Sequence, residues 1–202
     1  MTPALPATAH ALELKHAYRL LNTGASILIS AAQGGRRDVM ACAWNMSLDF
    51  SPAKVAVCLD KATFTRELIE ASGSFAIGVP CVAQADLVFT VGSISGRELP
   101  GQDKFAAFGI AHHAATMIDA PLVAGCIGWL ECRLLPEPHL QQAHDLFIGE
   151  AVAAWVDERA FEGGKFRPLD DTPPAWRTLH QLGAGNFVVP GAQLKARAQT
   201  SG

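Results

Sequence analysis

The chain has 202 residues, half of them apolar and only 17% charged, with a formal charge of −3 and five cysteines. A single domain of that length buries about 70% of its unfolded surface, and the composition excludes disorder. With a pI near 6.1 and no stripe of Lys and Arg, nothing drives it toward a phosphate backbone, so nucleic acid is excluded as a partner. No apolar run approaches the ~20 residues of a membrane helix, and MTPALPATAH has neither the charged nor the continuous apolar part of an export signal. The expectation is one cytoplasmic domain over residues 1–202, with no membrane partner and a mobile tail from 191 onward.

In chain order, residues 10–24 place Leu14, Ala17 or Tyr18, and Leu21 on one helical stripe ahead of Gly24, which predicts a short helix. ASILISA (25–31) and DVMACAW (38–44) read as strands joined through Gly34 and Gly35 in a tight hairpin. The segment NMSLDFSP (45–52) then interrupts the apolar pattern before VAVCL (55–59), a third strand. TFTRELIEASG (63–73) predicts a helix that Thr63 or Thr65 can cap, burying Phe64, Leu68 and Ile69 and stopping at Gly73.

SFAIGVP (74–80) returns to strand, and QADLVFTVG (84–92) predicts a second short helix. The Gly/Ser-rich loop from Gly92 to Phe105 ends in a helical turn; a loop of that length inside a compact domain usually has a task. CIGWLECRL (126–134) and DLFIGEAVAAWV (145–156) read as long strands joined by PEPHLQQAH. About seven strands with short inserted helices imply a mainly β, mostly antiparallel domain closed into a barrel or curled sheet.

The cysteines lie in apolar runs without ligand spacing and read as reduced core thiols. On one strand, Cys126 and Cys132 would stand about 20 Å apart, too far to share a metal. There is no G-x-S-x-G elbow and no HExxH, and adjacent His112 and His113 would point to opposite faces of a strand, so no metal site is expected.

Three polar islands remain. Asn45, Ser47 and Ser51 bring an amide and hydroxyls into a turn. Thr63, Thr65 and Arg66 sit at a helix N-terminus, whose free N–H groups suit an anion such as a phosphate. GSISGR (92–97) offers main-chain N–H groups that a flat ligand can approach closely. Spacing alone leaves ordinary turn, cap and connector roles equally open at all three.

The order of these islands resembles the flavin reductase-like family of FMN-binding split-barrel proteins, its flavoredoxin branch in particular. The resemblance runs from AYRLLNTGASILISA through NMSLDFSPAKVAVCL, TFTRELIEASGSFAIGVP, SGRELPGQDKF, APLVAGCIGWLECRL and HDLFIGEAVAA to LHQLGAGNFVVPG, most of residues 17–191. It implies a Greek-key split β-barrel working as a homodimer, with FMN at the interface and NAD(P)H as electron donor. It further implies a flavin reductase or an electron-transfer protein passing hydride from nicotinamide to flavin N5, and leaves room for a redox partner protein.

On the same resemblance Ala43, Trp44, Asn45, Met46 and Ser47 would contact the flavin. Thr63, Thr65 and Arg66 would serve its phosphate, and Ser95, Gly96, Arg97, Lys104 and Phe105 would close over its edge. His144 and His180 are candidates near the ring. The chain departs from the family at Ser51-Pro52-Ala53, where two prolines are usual, at Gly78, where Asn is common, and in the longer ELPGQ loop. Two readings of other kinds stay open: a non-enzymatic FMN or haem carrier on the same barrel, and an interaction module whose islands are only turns and caps.

Overall fold

A hairpin starts the sheet. β1 (Ile27–Gln33) and β2 (Arg36–Cys42) pair in antiparallel register from Ile27 opposite Cys42 to Gln33 opposite Arg36. Gly34 and Gly35 close the turn at φ 58° and 79°, the left-handed conformation that a two-residue hairpin requires at both positions. The structure is a computed structural model and describes residues 24–196; the helix expected over residues 10–24 lies almost wholly outside them.

Seven strands form one antiparallel sheet in the order β2-β1-β5-β8-β9-β4-β3, with β3 Asn45–Phe50, β4 Ala53–Cys58, β5 Ser74–Val79, β8 Gly128–Leu135 and β9 Leu146–Val156. Its two edges, β2 and β3, are consecutive in the chain and joined by Ala43 and Trp44 alone. Such a link spans at most about 11 Å, so the sheet must curl until its edges meet. This is the expected split barrel.

The remaining strands among the described residues are short pairs: β6 (His112–His113) with β7 (Leu122–Val123), β10 (Phe161–Glu162) with β11 (Lys165–Phe166), and β12 (His180–Gly183) with β13 (Asn186–Val188). The helices α1 (Phe64–Ser72), α2 (Ala85–Ser93), α3 (Lys104–Ala107) and α4 (Pro138–His144) are inserted between strands.

The barrel wall is apolar on both sides, which explains why ASILISA shows no clean alternation. Ile27, Ile29 and Ala31 of β1 join Phe64, Leu68 and Ile69 of α1, Phe75, Cys132 and Phe147 in the interior core. Leu28 of the same strand points outward into a second core with Val88 and Val91 of α2, Phe105, Cys126 and Leu179. Truncating a ring as buried as Phe75 or Phe147 to Ala costs about 3–5 kcal/mol.

Three readings of the sequence need correction. The polar interruption at Asn45–Phe50 is itself a strand, in which Asn45, Ser47 and Asp49 alternate with Met46, Leu48 and Phe50; at the edge of the sheet those apolar side chains stay exposed, so the segment does not read as buried sheet. Cys126 precedes β8 instead of sharing it with Cys132, and its sulfur occupies the space beside Gly78, where a Cβ would stand only 2.8 Å from it. That contact accounts for a glycine at position 78. The connector PEPHLQQAH folds largely into α4, whose first helical residue is Pro138. All five cysteines are free thiols, four of them buried.

Candidate functional site

α1 begins without a side-chain cap. Thr63 takes the N-cap position in extended conformation, but its hydroxyl donates to Asp60 O at 2.8 Å and turns away from the helix. The first-turn N–H groups therefore keep their capacity for an acceptor outside the helix. Opposite them runs the loop after α2, in which Ser95 accepts from Arg97 N.

Between these elements and β2 lies a cleft of about 220 Å³, lined by Asp38, Met40, Thr63, Thr65, Ser95, Gly96 and their neighbours. Gly96 cannot carry a side chain: a Cβ there would stand 2.6 Å from Asp38 Oδ1 and 3.0 Å from the Phe64 ring. The loop thus lies directly on the wall.

Beneath the cleft is a buried polar cluster. Asp38 Oδ2 accepts from the Thr65 hydroxyl at 2.7 Å. Asp38 Oδ1 has no hydrogen-bond donor among the described residues and lies 3.7 Å from Lys104 Nζ. The Lys104 ammonium donates to Val39 O at 2.8 Å and Val91 O at 2.9 Å, tying β2 to the end of α2. Burial pushes the Asp38 carboxyl above the usual carboxylate range, against the pull of Lys104 and Thr65. Burial likewise lowers Lys104, against the opposite pull of Asp38.

A second depression, of about 270 Å³, shares Thr63 with the cleft and is lined by Lys61, Arg66, Glu67, Glu70, Arg97 and Gln142. Glu67 bridges Arg36 at 3.0 Å and Arg97 at 2.7 Å, and both guanidinium groups lie over the Phe64 ring. The two arginines hold Glu67 below the usual carboxylate range. The rim of the cleft therefore carries more positive than negative charge.

The structure gathers Thr63, Thr65, Ser95, Gly96 and Lys104 around one cleft, with Arg97 at its edge. Thr65 and Lys104 are buried and already engaged, so their side chains hold the wall. Arg66 is committed too: its guanidinium donates to Leu59 O, Gln141 O, Asp145 and Glu70. Phe105 sits behind the cleft in the second core.

Ala43 to Ser47 continue from Met40 and Ala41 of the cleft wall onto the exposed edge. There Asn45 Nδ2 donates to Ala25 O and Cys42 O, while Met46 and Ser47 are open to solvent. His144, edge-on to His139 at the end of α4, and His180, 3.0 Å from the Thr178 hydroxyl, do not line the cleft. Asp38 is the wall residue that sequence reading missed, although a charge inside DVMACAW was a visible signal.

Residues 18–170 match the profile of the flavin reductase like domain. The chain belongs to the flavin reductase-like family. It is 44% identical over 188 residues to the protein YddH of Escherichia coli (strain K12), covering 92% of this chain and 96% of that one.

Among solved structures, an FMN-binding domain of a flavin reductases-like enzyme from Shewanella baltica OS155 superposes with a TM-score of 0.82 at 44% identity. The match covers 93% of this chain and 97% of that one. The flavoredoxin of Desulfovibrio vulgaris (Miyazaki F), 24% identical with a TM-score of 0.72 over 96% and 97% of the two chains, has the same fold. Among the described residues no helix is long and apolar enough to cross a membrane.

Proposed function

We propose that this chain is an FMN-binding oxidoreductase that accepts electrons from NAD(P)H, acting as a flavin reductase or a flavoredoxin-like electron carrier. The observation that carries the reading is the cleft where the uncapped first turn of α1 faces Ser95 and Gly96. It occurs in a chain 44% identical, almost end to end, to an FMN-binding domain. The residues present fit a flavin phosphate: the first-turn main-chain N–H donors of α1, the Ser95 hydroxyl, and a rim holding Arg36 and Arg97. The Asp38 carboxylate beneath is offset by Lys104.

FMN, when bound, supplies the hydride-accepting chemistry at N5. The residues of the chain bind and orient. Ser95, Gly96 and Arg97 hold the phosphate end together with the first-turn N–H groups of α1, and Thr63, bound to Asp60 O, shapes the entrance; Ala43, Trp44, Asn45, Met46 and Ser47 line the ring. Thr65, Arg66, Lys104 and Phe105 keep the wall in place from behind.

A second copy of the chain completes the reading. A cleft of about 220 Å³ is below the roughly 300–1,000 Å³ of sites that enclose a ligand, so another surface must cover the flavin. Beside it, β3 and the residue before it present Trp44, Met46, Leu48 and Phe50, which are 54%, 60%, 47% and 98% exposed. Four large apolar side chains in a row on an edge strand are the signature of an interface.

The test is turnover of NADH and NADPH by the purified protein with and without added FMN. Oxidation of either nucleotide that depends on FMN supports the reading. A protein that binds FMN yet oxidises neither would be a flavin carrier.

A further inference from the structure

A cavity of about 410 Å³ lies away from the cleft and shares no residue with it. It is built mostly by residues 165–193, past or near the end of the family match. Its lining includes Lys165, Phe166, Arg167, Trp176, Arg177 and Gln193. Three cations line it and, among the described residues, no carboxylate does.

Arg177 is the informative one. Its Nε, Nη1 and Nη2 donate to Thr172 O at 3.4 Å, Pro190 O at 3.2 Å and Leu169 O at 2.9 Å. Carbonyl oxygens fix the guanidinium in place but do not neutralise it, and two of its five N–H donors are left without an acceptor among the described residues. Arg167 pairs with Glu162 at 3.3 Å, whose carboxylate lies outside the cavity. Lys165 has no acidic partner among the described residues. A half-buried charge held by carbonyl oxygens alone asks for an external anion.

The remaining surface narrows the class. Trp176, fixed by the Arg159 guanidinium 3.6 Å from its ring centroid, and Phe166 offer aromatic surface, with Leu169, Pro168 and Pro190 beside them. Gln193 accepts from Leu169 N through Oε1, which leaves its amide N–H groups as donors. A volume of about 410 Å³ falls within the range of enclosed small-molecule sites, and three cations suit a phosphate dianion better than a single carboxylate.

We propose that this cavity binds a nucleoside phosphate: Arg177, with Lys165 and Arg167, takes the phosphate, and Trp176 and Phe166 take the base. The site is separate from the flavin cleft.

The full-length protein is titrated calorimetrically with AMP, adenosine and inorganic phosphate. AMP binds saturably at one per chain, and adenosine and phosphate each bind at least about tenfold more weakly, since one charge-assisted contact is worth about a factor of ten or more. Arg177→Met lowers AMP affinity by a further factor of about ten. Because Arg177 also pins three carbonyls, Lys165→Met, which touches no such contact, is the paired variant and weakens AMP while the melting temperature stays unchanged.

Gly96→Val, which fills the flavin cleft, leaves AMP binding intact whether or not the protein takes FMN. No AMP heat at millimolar concentration overturns the proposal. So does adenosine or phosphate binding as well as AMP, AMP affinity unaffected by Lys165→Met, or AMP binding lost in Gly96→Val.

Discussion

Asp38 and Lys104 face each other 3.7 Å apart under the cleft, both almost wholly buried, and among the described residues neither has another group of opposite charge in reach. Each is the other's counter-ion. Replacing one leaves an uncompensated buried charge, at a cost of about 3–5 kcal/mol. Asp38→Asn and Lys104→Met are each expected to destabilise the protein by that order. The double variant should lose clearly less than the sum, because no charge is then stranded. Urea unfolding of the four proteins measures the coupling, and additive losses would contradict the pairing.

Glu131 ties a loop to the barrel wall. Its carboxylate accepts from Thr116 N and Oγ1, Met117 N and Trp155 Nε1, and its side chain is fully buried. Burial alone would raise its pKa, but these donors outweigh burial and hold the carboxyl below its ordinary 4.5. A depressed carboxylate contributes stability that is present above the unfolded value and is lost as pH falls through the folded one. The melting temperature should therefore fall on acidification below about pH 4.5. Glu131→Gln, which strands donors at a cost of about 1–3 kcal/mol at neutral pH, should melt lower and with a shallower acid slope. Equal slopes in the two proteins would show that Glu131 is not the group lost.

The thiols should be quiet. Burial pushes Cys126 and Cys132 up to about 12 and Cys42 to about 11, and only the thiolate attacks. Alkylation of the native protein followed by peptide mass mapping should mark Cys58, the half-buried one, before the others. Rapid labelling of Cys132 would contradict the packing of β8.

The strands and helices with strong periodicity were legible in the sequence, from the Gly34–Gly35 hairpin to α1 ending at Gly73. What composition could not give was the edge strand β3. It pairs with β4 at the sheet edge, and its alternating apolar residues Met46, Leu48 and Phe50 stay exposed where a strand with a covered face would bury them. The helix start at Thr63, proposed as a phosphate site, was also visible in the sequence, but the division of labour among its side chains was not. Thr65, Arg66 and Lys104 carry the right donors for a phosphate, yet Asp38, Asp145 and several main-chain carbonyls claim them first. Four of those acceptors, Asp38, Asp145, Gln141 O and Val39 O, come from positions 27 to 79 residues away in the chain, a distance over which local spacing carries no information.

The exposed row on β3 gives a prediction about assembly. Met46→Glu with Phe50→Glu places two charges on the proposed contact without touching the core, so the fold should be kept. Light scattering after size exclusion should find the natural chain as a dimer and the double variant as a monomer with weakened flavin affinity. A natural chain that is monomeric at micromolar concentration would remove the second copy from the account.

The central claim is that the cleft beside Gly96 receives the phosphate end of FMN. Its most direct test is titration of FMN into the natural protein and into Gly96→Val, monitored through the quenching of flavin fluorescence. The valine side chain would run into Asp38 Oδ1 and the Phe64 ring and force the loop off the wall. The account predicts saturable binding at one FMN per chain in the natural protein and a loss of about tenfold or more in affinity in the variant. Equal affinities, or no quenching in the natural protein, would contradict it.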